Sequence, residues 1–347
     1  MQMKLLDILA CPECGGTLAC EPAASTPEGD VESGGLICAG CRQSYPIVGG
    51  IPRFVGSDNY ASSFGLQWNL FKAEQIDSIN GFRLSEQRFF DETGWPREWM
   101  SGKLILDAGC GAGRFLDIAS KANCEVVGMD ISNAVDAAKT TLAGRKNVHL
   151  VQASIYAMPF RSGVFDGCYC IGVIQHTPDP HRSLRALPRI LKDEGRIGLF
   201  IYERKPWTML YSKYLIRPLT TRLNERTLLQ WIKGLMPILF PITEVAFRLP
   251  YLGRLFRFAI PVSNYVGCNS RTNGGLSIGQ RYRWAVLDTF DMLAPQYDHP
   301  QTLQEVSEVL ADAGVVDLRR TVLYGLCLEG RKGRMAQPAH PPQSVGA

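Results

Sequence analysis

The 347-residue chain has no run of 18 uninterrupted apolar residues, so it offers no segment of the length a membrane-spanning helix needs. Its opening, MQMKLLDILACPEC, is too short and too acidic to be the apolar region of a secretory leader. Charge is sparse and nearly balanced. Lys and Arg number 37 against 33 Asp and Glu, a net +4, too mild to announce a nucleic-acid partner from totals. No internal repeat is present. An odd count of 11 cysteines, with no leader, argues against a secreted disulfide framework. A hydrophobic share of 46% and a charged share of 20% exclude a disordered chain, a coiled coil and a collagen-like fibre. The expectation is a soluble cytoplasmic protein, one large domain with a small appendage, whose cysteines serve metal or packing.

Two C-x-x-C knuckles, Cys11–Cys14 and Cys38–Cys41, each have the bite to grip one side of a tetrahedral Zn2+. The polar, Gly- and Pro-rich stretch EPAASTPEGDVESGG between them reads as an exposed hairpin insertion. A domain of roughly 50 residues has too little core to stand alone, and a metal supplies what is missing. With Cys11, Cys14, Cys38 and Cys41 as ligands the site is closed, hence structural rather than catalytic. Cys20 is out of phase with both knuckles. The alternatives are a redox pair or a motif that has lost its zinc.

The stretch KLILDAGCGAGRFLDIA, 103–119, carries most information. Leu104 to Leu106 suit a buried parallel strand. Gly109, Gly111 and Gly113 make a tight turn that lets a ligand approach the backbone, and Arg114 onward begins a helix. Strand, glycine loop and helix together form a nucleotide site in a doubly wound sheet. A dinucleotide fingerprint needs G-x-G-x-x-G/A, and here the sixth position is Arg114. The strand CEVVGMD ends at Asp130, 23 residues beyond Asp107, where a carboxylate can accept from both ribose hydroxyls. The stretch 165–180 reads as the fourth strand and 195–202 as the fifth.

These motifs are similar to two families. LLDILACPECGGTL with LICAGCRQSYPIVGGIPRF resembles the small zinc-ribbon family whose eukaryotic member activates tRNA and translation-factor methyltransferases. D-x-G-x-G-x-G resembles motif I of class I, type 11-like, S-adenosylmethionine-dependent methyltransferases. The resemblance implies an α/β fold, a doubly wound and mostly parallel seven-stranded sheet with an N-terminal zinc ribbon and a helical insertion. It implies cofactor contacts by Asp107, Gly109, Gly111, Gly113, Asp130, Ile131 and Ile155, with Trp68 of a preceding cap segment. Phe64 and Gln67 belong to that segment. Where the family has an aspartate for the adenine amino group, this sequence has Ser154, a departure that weakens one expected contact. His176, after the fourth strand, is the leading candidate base near the transferred methyl group. Tyr202 and His299 are further catalytic candidates, His299 having a loop-structuring role as its alternative.

The expected divisions are a ribbon over 1–56, a helical cap over 57–100 and the cofactor core over 101–203. A helical insertion follows over 204–282, the core returns over 283–330, and 331–347 form a disordered tail. Residues 284–300 are expected to be a loop with Asp288, Asp291 and Tyr297 over the active site. Thr302 to Glu305 read as a capping box. Segment 204–262 holds ten Lys/Arg and two acids, a net +8, leaving −4 for the rest of the chain. Basic, apolar helices suit a membrane surface or a lipid-linked acceptor, the phosphates of RNA, or an ordinary lid. Three functions stand open. The first is methylation of a small-molecule or lipid-linked acceptor on oxygen or carbon, with peripheral membrane contact through 204–262. The second is RNA methylation with the ribbon placing the nucleic acid. The third is a non-catalytic partner that binds the cofactor. The stretch Ile171–His176 holds no N-P-P-Y/F tetrapeptide, which disfavours the second.

Overall fold

The computed structural model describes residues 1–56, 60–72, 74–81, 83–266 and 275–334. The first unit is a four-stranded antiparallel sheet of β1 (Leu18–Ser25), β2 (Val31–Cys38), β3 (Ser44–Val48) and β4 (Ile51–Pro52). β1 and β2 are the arms of the expected hairpin. Each knuckle turns through a left-handed residue, Gly15 at φ +73° and Arg42 at +64°.

Four helices follow: α1 (Ser62–Leu70), α2 (Asp77–Asn80), α3 (Leu84–Thr93) and α4 (Arg97–Met100). The main sheet then begins with β5 (Leu104–Ala108), α5 (Arg114–Ala119), β6 (Glu125–Asp130), α6 (Ala134–Thr141) and β7 (Val148–Gln152). It continues with β8 (Phe165–Ile171), α7 (Pro180–Ala186) and β9 (Leu191–Ile201). An insertion of α8 (Ser212–Thr220), α9 (Glu225–Ala246), α10 (Leu252–Ala259) and α11 (Ile278–Leu293) intervenes. The sheet closes with α12 (Leu303–Asp312), β10 (Val315–Arg320) and β11 (Leu326–Lys332).

The seven strands lie in the order β10-β11-β9-β8-β5-β6-β7. β5 pairs in parallel with β6 on one side and β8 on the other, so the order reverses at β5. A crevice opens outside the strand ends at such a reversal. β11 is antiparallel to both neighbours and forms a closing hairpin with β10.

Alternation along β5 feeds two cores, because successive side chains leave a strand on opposite faces. Ile105 joins Phe89, Trp95, Leu116 and Tyr169 under α3 and α5. Leu106 and Ala108 join Val127, Phe165, Leu184 and Val306 on the other face, and Leu9, Leu36 and Ile47 of the ribbon belong to that same cluster. Ribbon and sheet are therefore not beads on a string. The Phe54 amide donates to the Gln152 carbonyl at 2.8 Å and the Ala10 amide to the Pro159 carbonyl at 3.0 Å. Arg53 pairs with Asp136. A third core of Leu228, Ile232, Met236, Phe240 and Phe290 holds the insertion together.

Three expectations need correction. Residues 284–293 are not a loop: α11 starts at a Ser277–Gln280 capping box and buries Trp284, Leu287, Phe290 and Leu293. The expected division at 282/283 therefore cuts a helix that packs on α8 and α9. The tail also starts later than 331, because Arg331 and Lys332 end β11; the remainder of the expected disordered tail, from 335, lies outside the described residues. The capping box at Thr302–Glu305 is present at the start of α12.

Candidate active site

A cavity of about 550 Å3 opens over the carboxyl ends of β5, β6 and β8. Its floor is the glycine loop. Gly109 has φ +94°, and a Cβ there would stand 2.3 Å from a Val173 methyl; at Gly111 it would stand 3.1 Å from Trp68 Nε1. The loop thus needs bare backbone at both positions. Gly109→Ala is expected to combine a left-handed strain with that clash, costing about 2–4 kcal/mol and removing ligand binding. Thermal melts with and without S-adenosylhomocysteine check this: an unshifted melting temperature would contradict it. Gly113, φ +89°, does not line the cavity; a Cβ there would meet Leu142 at 2.8 Å, so its role is packing.

Asp130 borders the cavity and is already in use. One carboxylate oxygen accepts from the Gly111 amide at 2.9 Å. The other accepts from Ser132 through its amide at 2.8 Å and its hydroxyl at 2.7 Å. Burial pushes its carboxyl up, while the Ser132 and Gly111 donors pull it back. Ile131, Ile155 and Trp68 line the same side.

Asp107 is placed differently from the expectation. It is sealed beneath the loop and does not line the cavity. Its Oδ2, like the Tyr169 hydroxyl, completes no hydrogen bond among the described residues. Burial pushes its carboxyl well above the usual range; Tyr169 opposes this and Asp130 adds to it. Ser154 is also diverted. Its hydroxyl accepts from the Tyr156 amide at 3.2 Å as a helical cap, and it is absent from the lining.

His176 sits across the cavity, buried, between Phe64 at 5.2 Å and Tyr202 at 5.5 Å between ring centroids. Its Nδ1 lies 3.0 Å from the Tyr297 carbonyl. A carbonyl only accepts, so Nδ1 carries the hydrogen and, in the neutral ring, Nε2 is the free acceptor. Asp291 faces the same space; burial pushes its carboxyl up, and the His176 charge and the Gln67 amide pull it down. Burial holds the Tyr202 phenol well above its ordinary pKa, so it is a proton donor in hydrogen bonds and not a base. His299 is not brought to the site. It is exposed, and its backbone amide donates to the Gln175 carbonyl at 2.7 Å, tying the 299 loop to the turn that carries His176.

Of the other lining residues, Arg88 was announced by no sequence pattern, whereas Asp288 and Asp291 were expected over the site. Arg88 of α3 pairs with the buried Glu92 through Nε at 2.7 Å, and a third of its side chain remains open at the cavity. Arg114 bonds Ser85 and Gln75, each at 2.9 Å. Burial and the Arg88 charge lower its pKa to about 10, which still leaves a cation at neutral pH. The Gln75 amide continues to Asp288 at 3.1 Å, and Tyr265 donates to the other oxygen of Asp288. Burial, with Asp291 nearby, raises the Asp288 carboxyl to about 6. Asp288 and Asp291 lie three residues apart on α11, the spacing that puts side chains on one helix face.

The four knuckle sulfurs lie within 4.8 Å of one another. Cys11 and Cys41 are 3.6 Å apart and Cys14 and Cys38 3.4 Å, close to the roughly 3.8 Å edge of a tetrahedron with 2.3 Å zinc–sulfur bonds. Backbone donors from Cys41 and Gly40 help bring the Cys38 thiol down to about 6. The Gln43 amide favours the Cys41 thiolate, yet Cys14, burial, Cys11 and Cys38 push that thiol up to about 12. Four crowded thiols cannot all ionise together without a cation, and this donor set fits Zn2+. Cys20 stands outside the cluster.

Residues 106–199 match the family described as methyltransferase domain, and residues 2–50 the family described as Trm112p-like protein. The chain carries a methyltransferase domain. Ahead of it stands a Trm112p-like domain. An uncharacterised Synechococcus protein is 36% identical over 104 residues, 28% of this chain and 25% of its own length. A ubiquinone biosynthesis O-methyltransferase from Pseudomonas paraeruginosa is 29% identical over 140 residues, 40% of this chain and 57% of its own. The chain therefore spans from a quarter to somewhat over half the length of these curated relatives. A solved complex between the Haloferax volcanii Trm112 methyltransferase activator and a methyltransferase aligns at 11% identity and TM-score 0.42, covering 79% of this chain and 100% of that one. A methyltransferase domain implies use of S-adenosylmethionine; the loop cradle and the orphaned Asp107 oxygen fit it. No helix among the described residues is long and apolar enough to cross a membrane.

Proposed function

We propose that the chain is an S-adenosylmethionine-dependent methyltransferase acting on oxygen or carbon of a small-molecule or lipid-linked biosynthetic acceptor, with a structural Zn2+ in its ribbon. The observation that carries this reading is one cavity in which Gly109, Gly111, Trp68 and Asp130 face His176, Tyr202 and Asp291. Relatives named for O-methylation in ubiquinone biosynthesis support an oxygen acceptor.

When bound, the cofactor supplies an electrophilic sulfonium methyl group. Asp130 would hold the ribose hydroxyls, Ile131 and Ile155 would flank the adenine, and Asp107 would reach the ammonium through water. Arg88 and Arg114 offer cations to a carboxylate. The enclosing helices exclude water and hold the nucleophile in line. For a hydroxyl acceptor, His176 Nε2 would take the hydroxyl proton. Asp291, which faces the same space, would then offer its negative charge to the imidazolium.

The test is transfer of a labelled methyl group from S-adenosylmethionine into fractionated cell extract. Label in the organic-extractable or small-molecule fraction is the expected result. Label in nuclease-sensitive material would instead make RNA the acceptor. Bound cofactor with no label in any fraction would favour a non-catalytic binding protein. With an acceptor in hand, His176→Gln should lower kcat by about 10²–10⁴-fold while the Kd for S-adenosylhomocysteine stays unchanged.

A further inference from the structure

Strand β8 carries a tyrosine in the middle of a buried run. Phe165, Gly167, Cys168, Cys170 and Ile171 are buried around it, and none of them bears a hydroxyl. Tyr169 is wholly buried itself, and its ring meets Phe89 and Trp95 edge-on at 5.0 and 6.0 Å between centroids. A phenylalanine would fill the same space. The hydroxyl therefore adds nothing to packing, and a buried hydroxyl without a partner costs stability.

The register of the sheet places that hydroxyl. β5 and β8 run in parallel, and Asp107 lies directly opposite Tyr169. Side chains two apart share a face, so Asp107 follows Ile105 onto the side of the sheet where Ile105 and Tyr169 share a core. The hydroxyl is directed at the carboxyl, yet neither it nor Asp107 Oδ2 completes a hydrogen bond among the described residues. Two open polar atoms thus face each other beneath the glycine loop. Asp130 repels Asp107 from β6, and no cation among the described residues offsets that. The surrounding thiols, Cys110, Cys124, Cys168 and Cys170, are held above their ordinary range by burial and stay uncharged near neutrality. Burial and the Asp107 charge hold the Tyr169 phenol well above its ordinary value too, so it remains a donor.

We propose that Tyr169 is a positioning residue for the cofactor: its hydroxyl donates to Asp107 and holds that carboxylate toward the cofactor's ammonium group. Tyr169 does not line the cavity, so it acts on the ligand only through Asp107. The inference rests on the proposed reading in which Asp107 reaches the ammonium through water, and it adds the group that keeps Asp107 ready. A donor to a carboxylate favours its ionised form. Without the hydroxyl the carboxyl would titrate higher, and the arriving ammonium would have to expel a proton to be bound.

The experiment is titration calorimetry of the full zinc-loaded chain and of its Tyr169→Phe variant from pH 5 to 8. The ligands are S-adenosylhomocysteine and 5′-methylthioadenosine, which has no ammonium. Phenylalanine keeps the ring contacts, and unchanged binding of methylthioadenosine shows that the variant is folded. Tyr169→Phe is expected to weaken S-adenosylhomocysteine by about tenfold at the acid end, because each unit by which a carboxyl's titration rises cuts its ionised fraction tenfold below the midpoint. The loss should narrow as pH rises, and binding near the midpoint should release more protons than in the parent. A tyrosine that only packs would change the melting temperature and leave that profile where it was. The proposal is overturned if the two pH profiles superimpose, if the loss is the same at every pH, or if both ligands lose equally. A parent chain whose S-adenosylhomocysteine and methylthioadenosine profiles coincide would sink the Asp107 assignment and this proposal with it. A parent that separates the two ligands beside a variant that matches it would sink the role of Tyr169 alone.

Discussion

Asp130→Ala is expected to weaken S-adenosylhomocysteine binding by two orders of magnitude or more, while the fold survives. Three donors converge on that carboxylate: the Gly111 amide and the Ser132 amide and hydroxyl. Removing it loosens the glycine loop and also deletes the acceptor proposed for the ribose. A hydrogen bond to a charged group contributes about 1.5–3 kcal/mol, or roughly 10- to 150-fold each, so the combined loss exceeds that of a single contact. Asp107→Asn should behave differently. Its buried, orphaned oxygen reaches the tail ammonium through water in the proposed reading, so the variant should weaken S-adenosylhomocysteine by about 10-fold or more yet leave 5′-methylthioadenosine, which lacks the tail, unchanged. Titration calorimetry with both ligands separates the two roles. Equal losses on both ligands for Asp107→Asn would remove the ammonium assignment.

The same carboxyls set a pH dependence. Burial raises both Asp107 and Asp130 in the ligand-free protein. A ligand ammonium favours the ionised form of Asp107, so its pKa falls on binding and a proton is released. Affinity should therefore rise with pH through the raised titration range of the free carboxyl and level off above it. A flat profile from pH 5 to 8 would contradict this direction.

Loss of zinc is expected to destabilise the whole described chain rather than the first fifty residues alone. Structural zinc contributes apparent binding energies on the order of 10 kcal/mol, comparable to the net stability of a domain. Leu9, Leu36 and Ile47 of the ribbon share one core with Val127, Phe160 and Phe165 of the main sheet. Leu9 also bridges to Phe160, and Arg53 to Gln152. Unfolding the ribbon therefore strips one face of the sheet. Cys38→Ser or a strong chelator should lower the melting temperature by on the order of 10 °C and expose apolar surface to a hydrophobic dye. Metal analysis should return one zinc per chain. A melting curve in which the main domain keeps its midpoint after metal removal would show the ribbon to be energetically separate.

The cofactor side of the cavity was legible because its chemistry is local. A strand, three glycines and a helix start fall within consecutive residues, and Asp130 ends the next strand. The knuckles were legible for the same reason: two residues between thiolates fix the bite. The acceptor side was legible only in part: His176, Tyr202, Asp288 and Asp291 were expected near it, and all four line the cavity. Arg88 was not expected there, because no spacing rule connects α3 with α5 and α11 across about two hundred residues. The α11 segment looked like a loop because Asp288 and Asp291 interrupt its apolar run, and those acids prove to be the helix face turned to the cavity. Ser154 and His299 carry the right atoms in motif-like places, but local hydrogen bonding used Ser154 as a cap, and the chain path left His299 outside.

The sequence by itself determined the strand–glycine-loop–helix unit, the four-thiol cluster and the basic, apolar character of the insertion. These follow from backbone conformation and short-range spacing, which neighbouring residues dictate. Only the tertiary structure decided that Asp107 lies sealed below the loop and that His176 Nε2 is left free by the Tyr297 carbonyl. It alone merged the ribbon with the sheet in one core and turned one apolar face of α9 inward and the other to solvent. Those outcomes depend on which distant surfaces pack together, and burial, not spacing, sets the charge state and the exposure of each group.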